Sequence, residues 1–291
     1  MKKDAHFYAL LVIARSVGIE KESAHKIAYA SQFVDDAKVN IITLADDNPA
    51  AILSALDDSD KIINAATCHS YSDLSTYNYS SMTANTSAFH FVPGAEGDNF
   101  PKKMRCKKES KIIKAIIEKA VNTADPIKLG ITLHAYADTF FHQGFSGIAS
   151  KVNDVEEVRA DNQIQLSIFQ LLREKRWQEI GTRFSTFVSE LRRDKIIPAY
   201  RHAQVYSYPD IPYLEWRYKY DATADFSSQY RVSRVKNKER FIEAFRKIKE
   251  ILQEFLENNE QYRDDSIAEV DYEEFNSILT ARKVEEERIA D

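Results

Sequence analysis

The sequence predicts an all-α protein: a single helical domain over 1–291, with long irregular loops and a charged helical C-terminal tail. Three observations carry this. Glycine and proline number only 7 each in 291 residues, too few for the turns of a many-stranded sandwich or barrel. Apolar residues recur at helical spacing in segment after segment. Asp125-Pro126 is a helix-start signal, a capping carboxylate followed by a proline at the first helical position.

The elements follow in order. Residues 5–17 carry Leu10, Ala14 and Val17 on one stripe, and Gly18 ends it. Residues 21–34 repeat the pattern with Ala24, Ile27, Ala28, Ser31 and Val34, and run into Asp35-Asp36. Residues 39–45 have the composition of a short strand. Residues 70–103, rich in Ser, Thr, Asn, Tyr and Gly, read as a long loop. Helices return at 109–122 and from Pro126 to His142. Two more are expected at 161–175 and 177–195. Residues 198–233 read as irregular, with three prolines and many aromatics. The core is expected to occupy 1–233. The tail, 234–291, is expected to hold charged amphipathic helices at 237–258 and 265–289.

Composition excludes several classes. Hydrophobic residues make up 44%, so a core is within reach and the chain is not disordered. The net charge of -5 argues against general nucleic-acid binding, leaving nucleic acid only as a substrate. Cys68 and Cys106 form no CxxC pair, which fits a reduced, cytoplasmic compartment. The apolar run Leu10–Ala14 is too short for a signal peptide and ends at Arg15. No stretch reaches the ~20 apolar residues of a membrane span.

The chemistry concentrates in Leu133-His134-Ala135-Tyr136-Ala137-Asp138-Thr139-Phe140-Phe141-His142. Steps of four residues keep His134, Asp138 and His142 within about 80° on one helix face. His134 and His142 stand about 12 Å apart along the axis. One metal ion, bound at about 2.0–2.1 Å per nitrogen, does not reach both from a straight helix. Two ions do, with Asp138 offering an oxygen to each. The surrounding Leu133, Ala137, Phe140 and Phe141 predict burial, where His and Asp need partners. The alternative is a buried polar network of histidines, tyrosines and carboxylates.

Further donors stand in Asp4-Ala5-His6, in Asp36 at the end of the second helix, and in His69 after an apolar run. His90 reads as packed between Phe89 and Phe91, and His25 as facing solvent. The run Lys102-Lys103-Met104-Arg105-Cys106-Lys107-Lys108 offers positive charge to a phosphate, or is a solvated loop end. The chain lacks a His-Asp dipeptide, HExxH, Walker A, GxGxxG and GxSxG.

Five blocks resemble an uncharacterised bacterial family: Asp4-Ala5-His6-Phe7-Tyr8, Gln32-Phe33-Val34-Asp35-Asp36, Phe89-His90-Phe91-Val92-Pro93-Gly94, the segment Leu133–Gly147, and Tyr208–Trp216. More distantly, the order of donors is similar to the zinc-dependent phospholipase C and single-strand nuclease superfamily. Those proteins are helical, trinuclear zinc phosphodiesterases whose His-x3-Asp aspartate bridges metals. The resemblance implies bridging by Asp138 beside His134, with His6, Asp36 and His69 as earlier ligands and His142 as a later one. It also implies that Met1 chelates through its own amine and carbonyl, five residues before His6. The superfamily's second His-x3-acid pair is altered: four residues after His202 stands Tyr206, and the next acid is Asp210. His202, Asp210, Met1 and Asp4 are therefore further candidates.

The expectation is a metal-dependent hydrolase, with zinc as the metal and manganese or iron as alternatives. Its substrate would be a small-molecule phosphate ester or a phosphodiester, and its catalytic residues Asp138 and Asp36. The rival is a non-enzymatic helical interaction protein with a structural metal site or a buried polar core.

Overall fold

The computed structural model describes residues 1–38, 41–43, 61–63, 66–68, 87–160, 202–205, 207–220, 232–265 and 270–291. The helices expected at 161–175 and 177–195 lie outside these residues.

The chain enters through a turn of π winding, Asp4–Ala9, that continues into α1 (Leu10–Ser16). Next comes α2 (Lys21–Asp36), capped by the Glu20 carboxylate, which accepts from the Ser23 and Glu22 amides. Strands β1 (Ile41–Thr43) and β2 (Lys61–Ile63) pair antiparallel. Within the segment expected as loop, α3 (Ser87–His90) and α4 (Phe100–Lys103) are short helices. Ser110 caps α5 (Lys111–Val121), and Asp125 caps α6 (Pro126–Phe141) by accepting from Ile127 and Lys128.

Helix α6 is the central element. Twelve of its 16 residues are buried, so it has almost no solvent face and its polar side chains must be satisfied inside. It packs against α2, α3, α5 and α7 (Asn237–Asn258). Its approach to α2 is set by Gly130. A Cβ there would stand 2.2 Å from the Ile27 carbonyl oxygen and 2.9 Å from Ala30 Cβ. Ala24, Ala28 and Ser31 of α2 are also buried. This close packing brings the last turn of α2 against His134 and Asp138.

The expectation of an all-α fold needs correction: the protein is mostly helical but contains a sheet. Strands β3 (Val155–Ala160), β4 (Glu215–Tyr220) and β5 (Val232–Lys236) form it in the order β3-β4-β5, all antiparallel. In β4, Trp216, Tyr218 and Tyr220 are buried and Arg217 is exposed, the two-residue alternation of a half-buried strand. These aromatics pack with Phe91, Phe145, Val205, Tyr208 and Leu214 into a second apolar cluster. That cluster lies beyond the end of α6, where Gly144 takes φ 86° and lets the chain turn out of the helix.

The tail region contains α7, α8 (Tyr272–Leu279) and α9 (Glu285–Ala290). Helix α7 buries Phe241, Phe245, Ile248, Leu252 and Phe255 in the same core as α1, α5 and α6. Among the described residues, no helix is long and apolar enough to cross a membrane.

Candidate metal centre

Four segments converge on one face of α6: the first turn (Met1 and His6), the end of α2, the end of α3, and the segment around Tyr208–Asp210. His134, Asp138 and His142 project from α6 and its C-terminal end, and all three are buried. His134 groups with His6 and Asp138, and His142 with His202 and Asp210; Asp138 does not divide its oxygens between His134 and His142 as expected, since both approach its Oδ2, at 3.5 and 3.6 Å.

Around Oδ2 of Asp138 stand His90 Nδ1 at 3.1 Å and His134 Nε2 at 3.5 Å. These two nitrogens are 3.1 Å from each other, and each is 3.9 Å from Asp35 Oδ1. Around Oδ1 of Asp138 stand His6 Nε2 at 3.5 Å and the Met1 nitrogen at 3.5 Å. The other Asp35 oxygen is 3.9 Å from His6 Nε2. The His6 and His134 rings stack with centroids 3.9 Å apart. The third group is His142, His202 and Asp210, with His142 Nε2 at 3.8 Å from Asp210 Oδ1. That same oxygen accepts from the Met1 nitrogen at 3.0 Å. Donor atoms at about 2.1 Å from a tetrahedral ion lie about 3.4 Å apart, within the 3.0–3.9 Å range of these separations.

Asp210 is held by a brace in the second apolar cluster. The buried Asn237 amide donates to the Tyr208 and Ile211 carbonyls at 2.6 and 2.7 Å, one on each side of Asp210. Its own oxygen accepts from the Trp216 indole at 3.1 Å. The β-sheet and α7 thereby fix a loop carboxylate.

The histidine tautomers follow from their carbonyl partners. His90 Nε2 stands 3.2 Å from the Thr67 carbonyl, and His142 Nδ1 stands 2.7 Å from the His90 carbonyl. A carbonyl oxygen only accepts, so these nitrogens carry the protons. In the neutral rings, His90 Nδ1 and His142 Nε2 then turn lone pairs toward carboxylate oxygens. Burial pushes His90 below its ordinary pKa, and burial with the neighbouring His134 lowers His6 to about 4, so both are neutral near pH 7. Among the described residues, His6 Nε2, Asp138 Oδ1 and His142 Nε2 are all buried without a hydrogen-bond partner. Lone pairs facing anions are repulsive unless a cation lies between them.

Charge points the same way. Burial opposes ionisation of Asp138, but His142, the Met1 amine and His134 outweigh it and hold the carboxyl well below its usual range. Asp210 and Asp35 are lowered too, against burial, by the amine and histidines around them. The Met1 amine resists burial as an ammonium, raised to about 11 chiefly by Asp210 and Asp138. Three buried carboxylates, Asp35, Asp138 and Asp210, thus share one face with the Met1 amine and the histidines. Carboxylates and imidazole lone pairs together are a donor set that could hold divalent cations.

Several sequence expectations move. Asp36 is exposed, its Oδ1 3.3 Å from the Gln32 amide; the carboxylate facing the histidines is its neighbour Asp35. His90, expected to be packing, lies in the centre of the cluster. His69 lies outside the described residues. Asp4 is no part of the cluster, because its carboxylate is taken by Arg288 Nε at 2.7 Å. His25 is exposed, as expected. In the basic run, Lys102, Lys107 and Lys108 pair with Asp98, Glu96 and Glu243, so those three charges are engaged within the protein.

The fold and this site define a mostly helical protein whose buried His/Asp groups could hold metal ions. The chain belongs to a family of unknown function (DUF6765), whose model matches residues 1–291. No curated protein and no solved structure matches the chain.

Proposed function

We propose that the protein is a metal-dependent hydrolase of a phosphate ester or phosphodiester. The observation that carries this reading is the division of Asp138: its two oxygens face two separate sets of donors, 3.1–3.5 Å away. One carboxylate shared in this way belongs with cations held close together. Asp35 divides its oxygens in the same sense, between His6 and the pair His90 and His134.

The reading assigns roles to the chain's own atoms. His90, His134, Asp35 and Asp138 are donors to one ion. His6, Asp138 and the Met1 nitrogen, once a cation displaces one of its protons, would be donors to a second, with Asp35 reaching both. His142, His202 and Asp210 are donors to a third. The Thr67 and His90 carbonyls orient the His90 and His142 rings. Closely spaced divalent ions supply Lewis acidity to phosphate oxygens and acidify a water for attack near neutral pH. Imidazole with carboxylate suits zinc best, and manganese or iron next. The resemblance to the zinc phospholipase C and nuclease superfamily supports the same substrate class.

The rival reading is a structural site. It is favoured by one observation: Asp35, His90, His134 and Asp138 already offer four protein donors, the number that closes a structural zinc site. The third group offers three and favours an open position.

The test combines elemental analysis of gently purified protein with hydrolysis of bis-p-nitrophenyl phosphate and p-nitrophenyl phosphate. The expected result is more than one transition-metal equivalent, and hydrolysis lost on chelation and regained with zinc. A fully loaded protein inert toward both esters would favour the structural reading. A metal-free protein of unchanged thermal stability would sink both.

A further inference from the structure

The first turn, which carries Met1 and His6, is tied down by a segment far away in sequence. Helix α9 presents Arg288, whose Nε donates to Asp4 Oδ2 at 2.7 Å. Both side chains are buried, at 3% and 4% exposure, and Asp4 stands between Met1 and His6. The Arg288 guanidinium also donates to the Lys283 carbonyl. The helix start at Lys3 has no side-chain cap of its own. Its amide instead donates to Glu285 Oε1 at 3.0 Å, while Lys2 Nζ lies 3.8 Å from the other Glu285 oxygen. A helix start leaves its first amides without intrahelical partners, and here α9 supplies one.

We propose that Arg288 and Glu285 are positioning residues for the His6 side of the cluster. They act by clamping the Met1–His6 turn so that its donor atoms face Asp138. The proposal rests on the reading that His6 is a metal donor. Its physical basis is the cost of an unpaired buried charge. Without Arg288 the Asp4 carboxylate stays buried and uncompensated, so the turn must open toward water. Asp4 lies two residues before His6, and the opening carries the His6 ring away from Asp138. Misplacement of a donor by about 1 Å is enough to weaken a site.

The test uses the full chain. Zinc stoichiometry and affinity are measured by chelator competition for wild type, His6→Ala, Arg288→Ala, Arg288→Lys and Glu285→Gln. Denaturation midpoints are recorded on the zinc-free proteins. Wild type should bind one zinc more than His6→Ala does. In Arg288→Ala that His6-dependent zinc should weaken about 10- to 100-fold, with the other zinc ions unchanged. Arg288→Lys should regain part of the affinity. If Arg288→Ala does not fold, Arg288→Lys and Glu285→Gln decide, and wild-type affinity in both overturns the clamp. Loss of all zinc in step with stability makes α9 fold support only, and also overturns it. Equal zinc in wild type and His6→Ala removes the donor reading itself, a result separate from failure of the clamp.

Discussion

Asp138 meets His90 across 48 residues of sequence, with the carboxylate Oδ2 3.1 Å from Nδ1 of the ring. The His90 ring is oriented from behind by the Thr67 carbonyl, so the nitrogen it turns to Asp138 is a lone pair. His134 Nε2 completes the triangle at 3.1 Å from His90 Nδ1 and 3.5 Å from Asp138 Oδ2.

Substitution should therefore separate two neighbouring aspartates. Asp35→Asn and Asp138→Asn are expected to lose bound metal, and Asp36→Asn to keep it. Asp36 is exposed, so its change should alter stability by no more than about 0.5 kcal/mol. Elemental analysis of the three purified variants is the check. Metal loss in Asp36→Asn with retention in Asp35→Asn would reverse the assignment.

Asn237 should matter to a centre it does not touch. Its amide holds both flanks of Asp210, so Asn237→Ala should weaken the His142-side metal about 10- to 100-fold. It also leaves the Trp216 indole without its acceptor, at a cost of roughly 1–3 kcal/mol in stability. Metal titration beside urea denaturation measures both effects, and an unchanged affinity would make Asn237 a brace for the fold alone.

Gly130→Ala should destabilise the protein although alanine is the better helix former. The added Cβ would stand 2.2 Å from the Ile27 carbonyl oxygen. Overpacking of this kind costs roughly 1–3 kcal/mol, against a propensity gain of about 1 kcal/mol. Separation of α2 from α6 also withdraws Asp35 from His134. A lower denaturation midpoint together with weaker metal binding is expected. A gain in stability would show that the two helices have slack.

Residues added before Met1 should lower metal occupancy without touching any side chain. The Met1 nitrogen is buried between Asp210 and Asp138, and an extension would replace its amine with an amide and crowd the pocket. Comparing a protein with a retained N-terminal tag against one that starts at Met1 reads this directly. Identical occupancy would exclude the amine as a donor.

Part of this arrangement is legible in the sequence. Asp125-Pro126 marks the start of α6, and the four-residue steps from His134 to His142 put three donors on one face. His6, His202, Asp210 and Met1 could be proposed as donors from the order of residues and the resemblance it carries. The sheet had a readable signal as well: Glu-Trp-Arg-Tyr-Lys-Tyr alternates over 215–220, but among so many aromatics it passes for an irregular segment.

Local rules determined the longer helices α1, α2, α5, α6 and α7, the Asp125 cap and the shared face of His134, Asp138 and His142, because these depend on neighbours within a turn or two; they missed the short helices α3 and α4 and the break between α8 and α9. The choice between Asp35 and Asp36 was beyond such rules. Adjacent helical residues point about 100° apart, so which one faces inward depends on where α6 lies against α2. His90 was hidden for the same reason. Its flanking aromatics are local, but the carbonyl of Thr67 and the carboxylate of Asp138 reach it only once α3 and α6 have packed. Tertiary packing alone also joined Arg288 to Asp4 across 284 residues, since a buried charge finds its partner by proximity in space, which no spacing along the chain records.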